Sequence, residues 1–223
     1  MAKRNGVAAK LVIFDCDGVL VDSEPIAAAS LAAELANAGF ATTPEQCVAD
    51  FTGLSLDSVI AQVEARSRRR LPAGFRERLR SRDYAAFRES LQPVPGVRAL
   101  LDRLATPRCV ASSGSLQKLD VTLSATGLLD DFAPNIFSAQ QVERGKPAPD
   151  LFLYAAASMG ISPQDCVVVE DSVAGIVAAC AAGMGVIGFA GGGHAGDGYA
   201  LRLYQAGAPS VVERMDELQQ ILK

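Results

Sequence analysis

Short, uninterrupted apolar runs punctuate the chain, each followed by polar residues or glycine. KLVIF at 10–14, RCVA at 108–111, CVVV at 166–169, VIGF at 186–189 and SVV at 210–212 are of this kind, with a weaker run at 135–137. Runs of this length with no polar alternation fit strands buried on both faces of a parallel sheet. Between them the apolar spacing changes to three and four. Val97, Leu100, Leu101 and Leu104 form one helical stripe, and the stretch from Pro149 to Met159 reads as a helix stopped by Gly160. Ser172 is placed to cap VAGIVAACAA, which Gly183 ends. Strands alternating with helices predict an α/β fold: a doubly wound parallel sheet with right-handed crossovers.

One region breaks the alternation. Ser23-Glu24-Pro25 is a helix start, and Ile26, Leu31 and Leu35 give a face ending at Gly39. Val59, Ile60 and Val63 belong to a second helix, and the Arg- and Ala-rich stretch from Gly74 to Leu91 fits a third. The pattern predicts a core of residues 1–20 and 92–223 with a small helical domain at 21–91 inserted after the first strand. Pro93-Val94-Pro95-Gly96 is a stiff return to the core.

Composition narrows the class. Twenty-one Lys and Arg stand against 25 Asp and Glu, a net charge of −4, which lacks the basic surplus of a nucleic-acid binder. No apolar run reaches bilayer length, and the apolar stretch near the N-terminus is too short for a signal-peptide core. The five cysteines are odd in number, widely spaced and free of CxxC pairs, so reduced thiols and a cytoplasmic location are expected. Cys16, between two aspartates, is a candidate for oxidation but reads first as a small filler beside a loop.

Function in an open parallel sheet collects at the carboxyl ends of the strands. Asp15 and Asp17 follow the first run, Ser112, Ser113 and Gly114 the second, Glu170 and Asp171 the CVVV run. The loop carrying Gly145-Lys146-Pro147 is placed to reach the same edge. Carboxylates gathered at one edge repel unless a cation neutralises them. Oxygen ligands without thiolate or imidazole favour a hard cation, and Mg²⁺ suits a phosphate partner. Donors around Ser112–Gly114 and the Lys146 charge would hold the same anion. An aspartate can itself attack phosphorus, and a second one two residues on can shuttle the proton. With a single histidine, His194, and no GxSxG elbow, a serine triad has little to build on.

DCDGVLVDSE at 15–24, the serine at 112, GKPAPD at 145–150 and VVVEDSVAGI at 167–176 resemble, in order, the four signature motifs of the haloacid dehalogenase superfamily. The resemblance covers essentially the whole chain. The helical insert is similar to the cap of its β-phosphoglucomutase-like and phosphoglycolate-phosphatase-like members. The resemblance implies Asp15 as nucleophile and metal ligand, and Asp17 as general acid/base whose main-chain carbonyl also binds Mg²⁺. It implies Ser112 and Lys146 as phosphoryl-binding groups, Asp171 and Glu170 as metal ligands, and backbone amides near Gly18 and Ser113 as a phosphate cradle.

Members that remove halide lack an aspartate at the position of Asp17, so the resemblance favours a phosphatase. A hexose-phosphate mutase is the rival: Thr52 and Leu56 stand where that enzyme has basic residues, and Ala27 where it has a histidine. A non-catalytic binding protein on the same fold is the rival of another class. The loop FTGLSLDS at 51–58 looks more like that of sugar- and sugar-acid-phosphate phosphatases, including those acting on 6-phosphogluconate. Gly53, Leu54 and Ser55 are its candidate specificity residues, since a glycine there lets backbone approach a substrate. Arginines between Arg66 and Arg82 form a solvated face or, more sharply, a steering patch for an anionic substrate. Gly191-Gly192-Gly193-His194 reads as a mobile surface loop. The expected partner is a small phosphorylated metabolite, with no nucleic acid or membrane and a monomeric or weakly dimeric chain.

Overall fold

In a computed structural model, residues 9–51 and 55–222 are described. Six strands form one parallel sheet: β1 Leu11–Phe14, β2 Arg108–Ser112, β3 Ile136–Ser138, β4 Cys166–Glu170, β5 Gly185–Phe189 and β6 Val211–Val212. Their order is β3-β2-β1-β4-β5-β6, so β1 is central and the order reverses beside it. Every apolar run expected to be a strand is one. Strand residues alternate between two cores. Val12, Phe14, Val110, Val167, Val169, Ile187 and Phe189 face one side. Leu11, Ile13, Cys109, Ala111, Val168 and Val186 face the other. Because helices cover both faces, both alternations are apolar, and this is why the runs are continuous in sequence.

Helices α5 (Val97–Leu101), α6 (Leu116–Ala125), α7 (Leu129–Phe132) and α11 (Met215–Ile221) pack on the first face. Helices α8 (Asp150–Ser158), α9 (Val173–Ala181) and α10 (Tyr199–Gln205) pack on the second. Ser172 caps α9 as expected, its hydroxyl accepting from the Gly175 amide at 3.0 Å. Gly160 and Gly183, at φ 69° and 70°, take the left-handed conformation that follows a helix end.

Between β1 and β2 lie α1 (Glu24–Asn37), α2 (Pro44–Phe51), α3 (Leu56–Ser67) and α4 (Phe75–Ser90), and among the described residues no strand. They enclose an apolar cluster of their own, with Leu31, Leu35, Phe40, Phe51, Val59, Val63, Phe75 and Leu79 buried. Helix α2 was not expected from the pattern; only Cys47 and Phe51 of its residues are buried, too few for a visible stripe. Across the junction, Asp22 N–H donates to Gln92 O at 3.1 Å and Val94 N–H to Leu20 O at 2.9 Å, so the outgoing and returning segments lie side by side. Helix α4 rests on α6, where the Tyr84 hydroxyl lies 3.4 Å from the Ser115 hydroxyl.

Candidate active site

The register of the central strands decides what meets at their carboxyl ends. Phe14 pairs with Val110 on one side and Val169 on the other. The next residue along, Asp15, therefore stands level with Glu170, and its amide donates to Val169 O at 3.0 Å. One oxygen each of Asp15, Glu170 and Asp171 fall within 4.8 Å of one another, all three side chains being buried. Lys146 enters from the loop before α8 and donates to Asp15 Oδ1 at 2.8 Å and Glu170 Oε2 at 2.7 Å. Its ammonium also lies 4.9 Å from the Phe152 ring centroid, on the ring face. The Lys146–Pro147 peptide bond is cis.

Each carboxylate is held by a different device. Glu170 Oε1 accepts from the Ser172 amide at 3.0 Å and its hydroxyl at 2.8 Å. Gly175 makes room for it: a Cβ there would sit 2.0 Å from the Glu170 carboxyl carbon. Burial first, then the charge of Glu170, pushes the Asp15 carboxyl well above its ordinary range, against the pull of Lys146. Burial likewise pushes Asp171 up to about 7, although a hydrogen bond from His194 opposes it. The two carboxyls resist ionisation because both are buried and both face the charge of Glu170. They fit a cation.

Asp17 is held apart from this cluster. Ser23 Oγ donates to its Oδ1 at 2.5 Å and Lys118 Nζ to its Oδ2 at 2.8 Å. Burial would raise its pKa, but the Lys118 charge and hydrogen bond, with Ser23, outweigh that and leave the carboxyl below its usual value. Ser23 is thereby diverted: it occupies the N-cap position of α1 yet makes no capping bond. Lys118 itself lies on α6 beneath the insert, 5.8 Å from the Phe87 ring centroid.

Ser112 is buried, and its Oγ accepts from the Gly114 amide at 3.2 Å; Ser113 is exposed. The Gly18 amide, near which phosphate donors are expected, donates to Val21 O at 2.8 Å inside its own turn. Gly18 takes φ 73° in that tight turn. Gly53 and Leu54 lie outside the described residues. Ser55 is exposed and caps α3, accepting from the Ser58 amide at 3.2 Å.

Contacts bear on three further expectations. The arginines Arg66 and Arg76 pair with Asp50 and Asp57, Arg70 with Glu64 at 2.8 Å, and Arg78 and Arg82 with Glu34 at 3.5 and 2.8 Å. These five are spent on carboxylates of the insert, which favours the solvated face over the steering patch. Cys16 is fully buried, with Sγ 3.7 Å from Thr122 Oγ1 and its thiol pushed far up by burial, so it is a filler. The glycine-rich loop after β5 is no free surface loop. The His194 side chain is buried, its Nε2 3.2 Å from Asp171 Oδ2 and 3.0 Å from the Tyr199 hydroxyl.

Sequence reasoning missed Lys118 and His194 as residues of the site. Lys118 lies 101 positions from Asp17 and carries no local signal. For His194 the signal was present: the only histidine, directly after three glycines.

A parallel sheet with acidic strand ends around a buried lysine is the ground on which known proteins can be compared. The sequence pattern of the haloacid dehalogenase-like hydrolases matches residues 9–183. The 6-phosphogluconate phosphatase of Escherichia coli K12 is 33% identical over 179 residues, 80% of this chain and 81% of the relative. Hexitol phosphatase A of the same organism is 36% identical over 180 residues, 78% and 80% of the two chains. A solved haloacid dehalogenase-like protein of unknown function from Agrobacterium tumefaciens superposes with a TM-score of 0.86 at 42% identity, covering 96% of this chain and 97% of that one. The chain belongs to the haloacid dehalogenase-like hydrolase family. Within it, the activity is that of a phosphoric monoester hydrolase. Among the described residues no helix is long and apolar enough to cross a membrane.

Proposed function

We propose that this enzyme hydrolyses a sugar phosphate or sugar-acid phosphate, with Mg²⁺ and through an aspartyl-phosphate on Asp15. The observation that carries the reading is the convergence of Asp15, Glu170 and Asp171 within 4.8 Å beside Lys146. The donors fit Mg²⁺: they are oxygens only, and the raised pKa values of Asp15 and Asp171 mark a place where positive charge is wanted. When bound there, Mg²⁺ would supply charge neutralisation for the transferring phosphoryl group.

In this reading Asp15, Asp171, Glu170 and the Asp17 main-chain carbonyl hold the metal. Ser112, Ser113 and Lys146 hold the phosphoryl oxygens. An Asp15 carboxylate oxygen attacks phosphorus while the bond to the leaving oxygen breaks, and that oxygen takes a proton from Asp17. Water then attacks the aspartyl-phosphate and gives a proton to Asp17, releasing orthophosphate and restoring Asp15. Proton donation requires Asp17 to leave Lys118, whose charge favours the ionised form. The segment 21–91 acts as a cap that excludes bulk water during transfer. The substrate class rests on the resemblance to phosphatases named for 6-phosphogluconate and hexitol phosphates. A cytoplasmic enzyme, monomeric or weakly dimeric, completes the reading.

A phosphate-release screen over phosphorylated sugars, sugar acids and polyols tests it, with Asp15→Asn as the blank. Release from one of these classes with Mg²⁺ and none with EDTA is expected. Isomerised product without free phosphate would instead make it a mutase. Silence across the whole panel would favour a binding protein.

A further inference from the structure

The loop between β5 and α10 packs so closely on its surroundings that Gly191, Gly192 and Gly193 have no room for side chains. A Cβ on Gly191 would lie 2.2 Å from Glu213 O, one on Gly192 2.8 Å from Gly18 O, and one on Gly193 2.7 Å from the Asp22 carboxylate. Those distances are below any real Cβ contact, so Gly191 and Gly192 serve close docking of backbone on backbone, and Gly193 close docking on the Asp22 carboxylate. The docking is anchored at Asp22, where the chain leaves β1 for the insert: Gly193 N–H donates to Asp22 Oδ1 at 3.0 Å. Its result is to deliver His194 to Asp171.

The His194 side chain is 3% exposed. Its Nε2 reaches Asp171 Oδ2 at 3.2 Å and the Tyr199 hydroxyl at 3.0 Å, and the Tyr199 ring meets it edge-on with centroids 5.0 Å apart. Nδ1 is buried with no hydrogen-bond partner. A ring nitrogen left unpaired in a buried place is costly, and here the compensating contact is the one to Asp171. Gly18 closes the arrangement from below, since a Cβ there would lie 1.9 Å from Asp171 Oδ2 and 2.7 Å from His194 Cε1. Asp171 Oδ2 is thus packed between the Gly18 turn and the imidazole.

From this we propose that His194 is a positioning residue for the metal site, holding one oxygen of Asp171 so that the other is presented to the cation. The proposal rests on Asp171 being a ligand, as in the reading above. Asp15 and Glu170 are oriented by Lys146 from the loop before α8, and Glu170 also by Ser172 directly after β4, whereas Asp171 is oriented by the loop after β5. Groups that orient a metal ligand from behind typically change affinity by about 10–100-fold when removed.

Because His194 is the only histidine, its imidazole can be followed by NMR in the native protein without assignment. Titrating the metal-free protein with Mg²⁺ should shift the imidazole nitrogen signals along the same curve that calorimetry gives for Mg²⁺ binding. Calorimetry on variants supplies the second arm: H194A should weaken Mg²⁺ by about tenfold or more. H194Q, which keeps an N–H donor, should recover a substantial part of that loss. Imidazole signals that stay fixed while Mg²⁺ saturates the protein would overturn the proposal, and so would a folded H194A with native affinity. If H194A does not fold, the NMR titration decides. Failure of the metal reading itself is distinguishable, because native protein would then bind no Mg²⁺ at all.

Discussion

Ion pairs at the carboxyl edge of the sheet and ion pairs on the helical insert use the same residue types and differ in their surroundings. At the edge, the side chains of Asp15, Lys146 and Glu170 are 10%, 3% and 0% exposed. On the insert, Arg76 and Asp57 are 48% and 80% exposed. Water screens the second pair and leaves it worth little, while the first set has given up its hydration and depends on its partners. The core therefore stores unfavourable electrostatics where chemistry is done. The insert uses charge for solubility and helix packing.

The sharpest way to break this comparison is to remove one partner from each region. K146M leaves two buried carboxylates with no lysine, and a loss of about 3–5 kcal/mol in metal-free urea unfolding is expected. A loss below about 1 kcal/mol would mean that the edge is no different from the surface. Saturating Mg²⁺ should return part of the stability, since the cation replaces the missing charge.

Next in size is the pH response of the metal-free protein. Asp171 titrates near 7 when folded and near 3.8 when unfolded, so between those values the folded chain holds the extra proton. His194 is also raised, because its hydrogen bond and charge pairing with Asp171 outweigh the burial that would lower it. Both groups give the same sign: stability is greater below about pH 4 to 6 and falls as pH rises through 7. The Asp171 share is at most roughly 4 kcal/mol. Chemical denaturation at pH 5.5 and 8, with and without Mg²⁺, measures the part of it lost between 5.5 and 7, roughly 2 kcal/mol. Mg²⁺ should flatten the slope, and a metal-free stability that climbs across this window would contradict the account.

K118M probes the boundary between the regions, where α6 lies under α4. Loss of the ammonium removes the charge that keeps Asp17 ionised, so the Asp17 carboxyl should rise towards the ordinary value or above it. The basic limb of the kcat/KM profile, which reports loss of the Asp17 proton in the free enzyme, should then move to higher pH. An unmoved limb would show that Lys118 does not hold Asp17 ionised in the resting enzyme. Smallest of all, R76A should change stability by less than about 1 kcal/mol in thermal unfolding.

The same contrast explains what was legible in the sequence. Strands buried on both faces announce themselves as apolar runs, and Asp15, Glu170 and Asp171 follow such runs directly, so fold and acidic cluster were both readable. Lys146 was readable from its GKP setting. Helix α2 was not, because only Cys47 and Phe51 of it are buried. Nor was the Lys118–Asp17 pair, whose partners are brought together only by α6 packing beside β1. The glycines before His194 misled for a physical reason. Glycine permits flexibility and it permits close approach, and sequence alone does not separate the two.

At the centre of the account stands Asp15 as the group that carries the phosphoryl moiety. Acid-quenched turnover of a radiolabelled phosphoester, followed by peptide mass spectrometry, tests this most directly. Label on the Asp15 peptide that needs Mg²⁺ to form and vanishes in D15N is the predicted result. Undiminished phosphate release by D15N, with no label on Asp15 in the native enzyme, would contradict it.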